Sequence, residues 1–204
     1  ATIEETRADL FGLYYMGDKK MIELGLLPNA DAYKAEYYKF MMNGLMTQLV
    51  RINLGDDIQE SHMRNRQLIA KWVFEKGQKQ NVVEMKQRDG KSYVVINDYV
   101  KLRELFGQLL AEIQRIKSEG DYLGAKNLVE KYAIKIDLNL HKEVKTRYEK
   151  LNIAPYKGFI NPVYSPVFDE KGNVLDIKVD YKENYIEQML RYSKDFSPLS
   201  IDNK

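Results

Sequence analysis

Near the start of the chain, two carboxylates lie one helical turn apart in a segment that is otherwise mostly apolar. The segment reads ATIEETRADLFGLYY and contains Glu5 and Asp9. At 100° per residue they share a narrow stripe with Gly12, between two apolar arcs. One arc contains Ile3, Thr6, Leu10, Leu13 and Tyr14, and the other contains Ala8, Phe11 and Tyr15. A carboxylate that is removed from water needs a cation, a metal ion or hydrogen-bond donors. The pattern therefore makes Glu5 a candidate metal ligand and Asp9 a candidate acceptor that orients another ligand.

A simpler interpretation of Glu5 is a helix cap. Thr2-Ile-Glu-Glu5 fits a capping box, in which Thr2 caps the helix and the Glu5 side chain returns to the Thr2 amide. This alternative explains neither Asp9 nor Gly12. Both interpretations of Glu5 remain open at this point.

The chain has two histidines, His62 and His141, and no cysteine. His62 shares a predicted helical face with Ile58 and Ile69, for which the ordinary interpretation is a hydrogen-bonded core histidine. His141 is expected at the surface, because charged residues surround it. A catalytic zinc generally needs about three protein ligands and an open position for water. These residues do not supply that set on their own.

Composition excludes several classes of protein. Lys and Arg number 32 against 30 Asp and Glu, and the two signs alternate without basic blocks, which argues against a nucleic-acid stripe or a polybasic membrane patch. The apolar runs are too short for a membrane span. The absence of cysteine excludes disulfides, thiolate metal sites and a cysteine nucleophile, and it suits a reducing cytoplasm. We therefore expect a cytoplasmic globular protein that binds neither nucleic acid nor membrane.

The elements that position the candidate residues are mainly helices. The periodicity predicts helices over 3–16, 31–52 with Asp31 as cap, from Asp56 or Asp57 to 77, and over 98–118, 121–132, 137–150 and 183–196. Two hairpins are predicted, one around Asp89-Gly90 and one around Lys171-Gly172-Asn173. The predicted fold class is α+β and predominantly α-helical, with two small β-hairpins. Residues 1–196 are expected to belong to one lobe, and 197–204 to form a flexible tail.

The segment EETRADLFGLYY resembles the second zinc motif, EExxAD/E, of the dipeptidyl-peptidase III family of zinc metallopeptidases, whose first motif is HExxGH. Three later segments are also similar to blocks of that family, namely YYKFMMNGLMTQLVRI, SHMRNRQLIAKWVFEKG and YKGFINPVYSPV. The resemblance covers nearly all of the chain, as the C-terminal part of a longer protein. It implies a helical lobe that bears zinc and forms one wall of a cleft.

The resemblance also implies roles for the acidic residues. Glu5 becomes the third protein ligand of a catalytic zinc. Glu4 and Asp9 support the histidine ligands through hydrogen bonds. Many relatives have Glu where this chain has Asp9, which shortens the reach of the carboxylate by one methylene and keeps its chemistry. HExxGH, which carries the two histidine ligands and the glutamate that activates water, does not occur in this sequence.

Three further residues gain roles from the same resemblance. His62, in SHMRNR, corresponds to a histidine that contacts the substrate or its tetrahedral intermediate. Arg66 becomes a nearby substrate-binding residue of the cleft. Lys157, in YKGFINP, lies where relatives have a basic residue near the carboxyl end of the peptide, although an exposed lysine beside a turn is an equally good interpretation.

The expected function is that of a C-terminal fragment of a zinc exopeptidase, an aminopeptidase-type hydrolase that releases dipeptides from the N-terminus of oligopeptides. Its partners are the oligopeptide substrate and the missing N-terminal part of the same chain. The fragment alone is expected to be inactive and to hold zinc weakly or not at all. The alternatives are a helical scaffold module, for which EETRAD is only a cap and an ion pair, and a relative that has lost the first motif.

Overall fold

The computed structural model describes residues 1–153 and 159–197. Its architecture is α+β and predominantly α-helical, with two small antiparallel sheets, as predicted. The chain divides into two compact units, Ala1–Asn152 and Ile153–Lys204. The predicted grouping of residues 1–196 in a single lobe remains a prediction.

The first unit is built from seven α-helices and one hairpin. They are α1 (Thr2–Met16), α2 (Lys20–Glu23), α3 (Ala32–Leu45), α4 (Ser61–Gly77), β1 (Val83–Arg88), β2 (Lys91–Ile96), α5 (Tyr99–Glu119), α6 (Tyr122–Leu128) and α7 (Leu138–Glu149). A 3₁₀ turn, Thr47–Arg51, follows α3, and a π-helical turn, Val129–Ala133, continues α6. The side chains of Asp98, Asp121 and Asp137 cap α5, α6 and α7 by accepting backbone N–H bonds.

Two predicted helix boundaries are wrong. The helix predicted over 31–52 is broken at Met46, whose φ of −136° and ψ of −62° are not helical, and Asp31 makes no capping hydrogen bond. The next helix begins at Ser61 rather than at Asp56 or Asp57. Asp57 instead forms an ion pair with Lys135 at 2.7 Å. The side chain that caps this helix is Glu60, which precedes Ser61 and accepts bonds from two free amides.

Side chains from α1, α3, α4 and α5 form most of the core. Leu10, Tyr37, Met41, Ile69 and Phe106 are completely buried. Tyr37 donates a 2.7 Å hydrogen bond to Leu13 O and packs edge-on against Phe106. The Met-rich segment at the end of α3 and in the following 3₁₀ turn belongs to the core. Met41, Leu45, Met46 and Leu49 are buried, and Met42 packs against them.

Both hairpins form at the predicted turns. Between β1 and β2, Asp89 and Gly90 have φ values of +51° and +69°, as a two-residue type I′ turn requires. The described part of the second unit contains β3 (Val163–Phe168), β4 (Val174–Asp180) and α8 (Tyr185–Asp195). A capping box between Asn184 and Glu187 starts α8. In the residues that the structure describes, no helix is both long and apolar enough to cross a membrane.

Candidate functional site

Helix α1 carries the predicted carboxylate stripe, but only one of its two apolar arcs is buried. Leu10 and Leu13 point into the core, whereas Phe11 and Tyr15 expose 58% and 40% of their surface. The second arc lines an open groove of about 1260 Å³ between α1 and α5. The expectation that apolar residues wall the stripe on both sides is therefore wrong in this structure, because nothing among the described residues fills that groove.

Glu5 contacts His62 across the interface of α1 and α4. Glu5 Oε2 lies 3.0 Å from His62 Nδ1. Since a carboxylate only accepts, Nδ1 carries a proton and donates it. Two alternative interpretations, the capping box for Glu5 and the core position for His62, are wrong. α1 has no side-chain cap, so the capping box does not form. The His62 side chain is 56% exposed, so it is not a core histidine.

Glu60 fixes the turn of α4 that carries His62. Its Oε1 accepts a 2.8 Å hydrogen bond from the His62 amide and its Oε2 accepts a 2.9 Å bond from the Met63 amide. Burial acts to raise the pKa of Glu60, but the two amide bonds and the nearby His62 and Arg66 outweigh it and place that pKa below its ordinary value. Glu60 is therefore an ionised, doubly bonded cap.

Glu4 faces away from the Glu5–His62 contact. It bonds to Arg7 one turn along, and to Lys117 of α5 at 2.6 Å. The hydrogen bonds from Lys117 and Arg7 lower the pKa of Glu4 to about 2. In this structure its carboxylate fastens α1 to α5. Its support of a histidine ligand remains a prediction.

Asp9 and Arg66, two of the predicted site residues, line the same pocket. The pocket has a volume of about 400 Å³ and lies between α1, α3 and α4. Arg66 is one turn after His62, and Asp9 is one turn after Glu5. The remaining polar lining comes from α3, namely Glu36, Lys39 and Asn43. The structure thus brings Glu5, Asp9, His62 and Arg66 to neighbouring turns of two packed helices.

His141 is buried, so its prediction as a surface residue is wrong. Only 1% of it is exposed. Its Nε2 lies 3.0 Å from Leu49 O and 3.3 Å from Ile52 O, and because carbonyls only accept, Nε2 carries the proton. His141 satisfies the carbonyls at the end of the 3₁₀ turn, and Lys145, one turn along, donates to the Ile52 carbonyl as well. This is a structural role.

The described residues do not complete a metal site. Glu5 and His62 lie at hydrogen-bond distance from each other. However, no group of three His, Cys, Asp or Glu side chains that could hold a metal ion comes together in residues 1–153 and 159–197. About three protein ligands are typical of a catalytic zinc. Glu5 fits as one ligand, since a third of its side chain is accessible. Lys157 lies outside the described residues.

Two features of the site were missed by reasoning from sequence. Glu60 gave a weak signal, because Asp and Ser are the preferred caps and a glutamate before Ser61 is easily overlooked. Glu36, Lys39 and Asn43 could have been found from their spacing on α3, but only with knowledge of which helix packs beside α1.

Asn65, between His62 and Arg66, is fully buried, and its side chain has no hydrogen-bond partner among the described residues.

Comparison with known protein families identified a match. A family model described as "Peptidase family M49" matches residues 1–153, which is three quarters of the chain. The matched residues include Glu5, Asp9, His62 and Arg66. No curated protein matches the chain.

Proposed function

Because the chain belongs to peptidase family M49, whose members are metallopeptidases, we propose that it is the C-terminal part of a zinc-dependent exopeptidase. The proposed enzyme releases dipeptides from the N-terminus of oligopeptides. The observation that carries the proposal is the 3.0 Å contact between Glu5 and His62. This contact joins two residues from separate helices, to which the resemblance gives a metal role and a substrate role.

The proposal gives each residue of the site a task. Zinc, when bound, activates a water molecule as the nucleophile. Glu5 would be one of its ligands, and Asp9 would accept a hydrogen bond from a histidine ligand and hold that ring in place. In this role His62 is an imidazolium, which donates from both ring nitrogens: Nδ1 to Glu5, and Nε2 to the oxyanion that develops at the scissile carbonyl. Arg66 would bind the peptide from the pocket that it shares with Asp9.

We propose that a preceding segment supplies the rest of the active site. The sequence contains no HExxGH, so both histidine ligands and the glutamate that takes the proton from water are missing. We therefore propose that the 204-residue chain alone is inactive, and that its partners are this segment and the oligopeptide. Lys157 remains the proposed contact for the carboxyl end of the peptide. A cytoplasmic location is part of the proposal and agrees with the absence of cysteine.

The first test is Glu5→Ala in the complete protein, taken from the longest reading frame that contains this chain. We expect loss of bound zinc and a fall in dipeptide release of at least about a thousandfold, because the nucleophile depends on the metal. Zinc is measured by atomic absorption and release by a chromogenic dipeptide substrate. Glu23→Ala, an exposed glutamate on α2, is the matched control. Unchanged activity in Glu5→Ala, or a reading frame without HExxGH, would contradict the proposal.

A second test separates substrate contact from metal binding. His62→Ala in the complete protein should lower kcat by about a hundredfold, as expected for the loss of one oxyanion donor. Bound zinc should be unchanged, since His62 is not one of the proposed ligands. Loss of zinc in this variant would show that His62 acts through Glu5 rather than on the substrate.

A further inference from the structure

The position of His62 depends on the first turn of α4, and that turn is held from several sides. Ile58 is buried, and its amide donates a 3.1 Å bond to Ile134 O. Arg64 Nε donates a 2.7 Å bond back to Ile58 O. These contacts fix the chain before the helix. Neither of them touches His62.

The body of α4 is held just as firmly. Gly44 of α3 packs so closely on it that an added Cβ would lie 2.5 Å from Arg66 O and 2.6 Å from the Ala70 Cβ. Gln67 anchors the opposite side by donating to the carbonyls of Tyr132 and Lys135. The helix cannot slide from Arg66 onward. The freedom that remains is in residues 61–63, where the amides have no partner within the helix.

Glu60 removes that freedom. Its two oxygens bond to the amides of His62 and Met63, so the residue that bears the imidazole is fixed at its own backbone. The imidazole then reaches Glu5 at 3.0 Å, although more than half of the His62 side chain is open to solvent. An exposed side chain keeps one orientation only if its backbone and its partner are both fixed, because ordering it costs rotamer entropy.

We propose that Glu60 is a positioning residue that holds His62 against Glu5. Its effect on catalysis rests on the proposed function, but its effect on the Glu5–His62 contact does not. Glu60 touches neither substrate nor metal in this assignment. It acts through the backbone amides of His62 and Met63.

The test in the complete protein is a set of four variants: Glu60→Ala, Glu60→Asp, His62→Ala, and Glu60→Ala combined with His62→Ala. We expect Glu60→Ala to lower kcat by about tenfold or more, with KM and bound zinc unchanged. Glu60→Asp should restore kcat to within about twofold, because aspartate is a good cap. In the His62→Ala background, Glu60→Ala should have no further effect. An equal loss of kcat in both backgrounds would overturn the proposal.

The matched control is Asp98→Ala, which removes the cap of α5 and its 2.9 Å bond from the Lys101 amide. Asp98→Ala removes the cap of α5 as Glu60→Ala removes the cap of α4, but it should leave kcat within about twofold of the wild-type value. If Asp98→Ala lowered kcat as much as Glu60→Ala does, the effect would be general destabilisation and the proposal would fail.

A second measurement does not depend on activity. In the 204-residue chain, an NOE between the His62 ring and the Glu5 side chain should be present in the wild type and in Glu60→Asp, and absent in Glu60→Ala. Persistence of this NOE in Glu60→Ala would overturn the proposal, even if the complete protein is an active peptidase. If the NOE behaves as expected and the complete protein lacks activity, the proposed function fails while the positioning role of Glu60 stands.

Discussion

The two units of the chain are held together by different interactions. In Ala1–Asn152, the helices enclose a continuous core of buried apolar side chains. In the described part of the second unit, the buried residue is a glutamine, Gln188, and most large apolar side chains are exposed. Those that expose more than half of their surface include Phe159, Tyr164, Phe168, Leu175, Ile177, Val179, Ile186, Leu190 and Phe196. Apolar burial stabilises the first unit, while hydrogen bonds and ion pairs hold the second.

This difference coincides with the boundary of the family match. The matched region ends at residue 153, and the first unit ends at Asn152. All described candidate site residues lie in the first unit. The stability of the Glu5–His62 contact should therefore depend on the core of the first unit and not on the second unit.

The largest effect is expected for a core truncation in the first unit. Phe106→Ala removes a fully buried ring that packs edge-on against Tyr37. It should lower the free energy of unfolding by about 3–5 kcal/mol. Leu190→Ala in α8, whose side chain is mostly exposed, should cost less than about 0.5 kcal/mol. Urea unfolding followed by Trp72 fluorescence measures the effect of both variants on the first unit, since the single tryptophan is in α4.

Comparable destabilisation by the two variants would break the comparison. Trp72 reports on the first unit. A large shift of its urea unfolding transition in Leu190→Ala would therefore mean that the exposed apolar face of α8 contributes to the stability of α4. The conclusion that each unit has its own source of stability would then be wrong.

A smaller effect is expected for the polar clamp of the second unit. Gln188 accepts a 2.8 Å bond from the Asn161 amide and donates a 2.7 Å bond to Asn161 O. Gln188→Ala leaves both backbone groups without this partner, at a cost of about 1–3 kcal/mol. Amide exchange should become faster in β3, β4 and α8, while the Trp72 transition stays in place. Gln114→Ala, an exposed position on α5, is the matched control.

A shift of the Trp72 transition in Gln188→Ala would show that the two units unfold together. Unchanged amide exchange in the second unit would show that the pair of hydrogen bonds to Asn161 is not what holds it.

Local signals in the sequence predicted most of the fold. The Asp89-Gly90 turn and the helix starts at Asp98, Asp121 and Asp137 are confirmed, because each depends on a few adjacent residues. The wrong predictions depend on residues far apart in the chain. Whether His141 is buried is decided by two carbonyls about 90 residues earlier, which no pattern around His141 indicates.

The candidate site shows the same limit. The spacing of Glu5 and Asp9 predicted a shared stripe, and the resemblance added His62 and Arg66. Neither indicated that Glu5 and His62 touch directly, because this depends on how α1 and α4 cross. The start of α4 was predicted at Asp56 or Asp57, but an ion pair with Lys135 occupies Asp57, and Glu60 binds two amides at the actual start.

The smallest effect concerns the ion pair that joins α1 to α5. The hydrogen bond from Lys117, followed by that from Arg7, lowers the pKa of Glu4 from 4.5 to about 2. A carboxyl whose pKa is lowered on folding stabilises the fold above its unfolded pKa. This contribution is fully present above pH 4.5 and is lost as the pH falls towards 2. Glu183 of the second unit also has a lowered pKa, caused first by Arg191, which is eight residues away.

A carboxyl ¹³C titration of the chain distinguishes the two pairs. Lys117→Ala should raise the Glu4 midpoint, because it removes the largest cause of the low pKa, and should leave the Glu183 midpoint unchanged. Glu4→Gln should weaken the acid dependence of the Trp72 transition between pH 4.5 and 2. The effect is small because the pair is exposed and screened by salt. A Glu4 midpoint near 4.5 in the wild type would show that Lys117 does not fasten α1 to α5, and that Glu4 is free to support a histidine ligand.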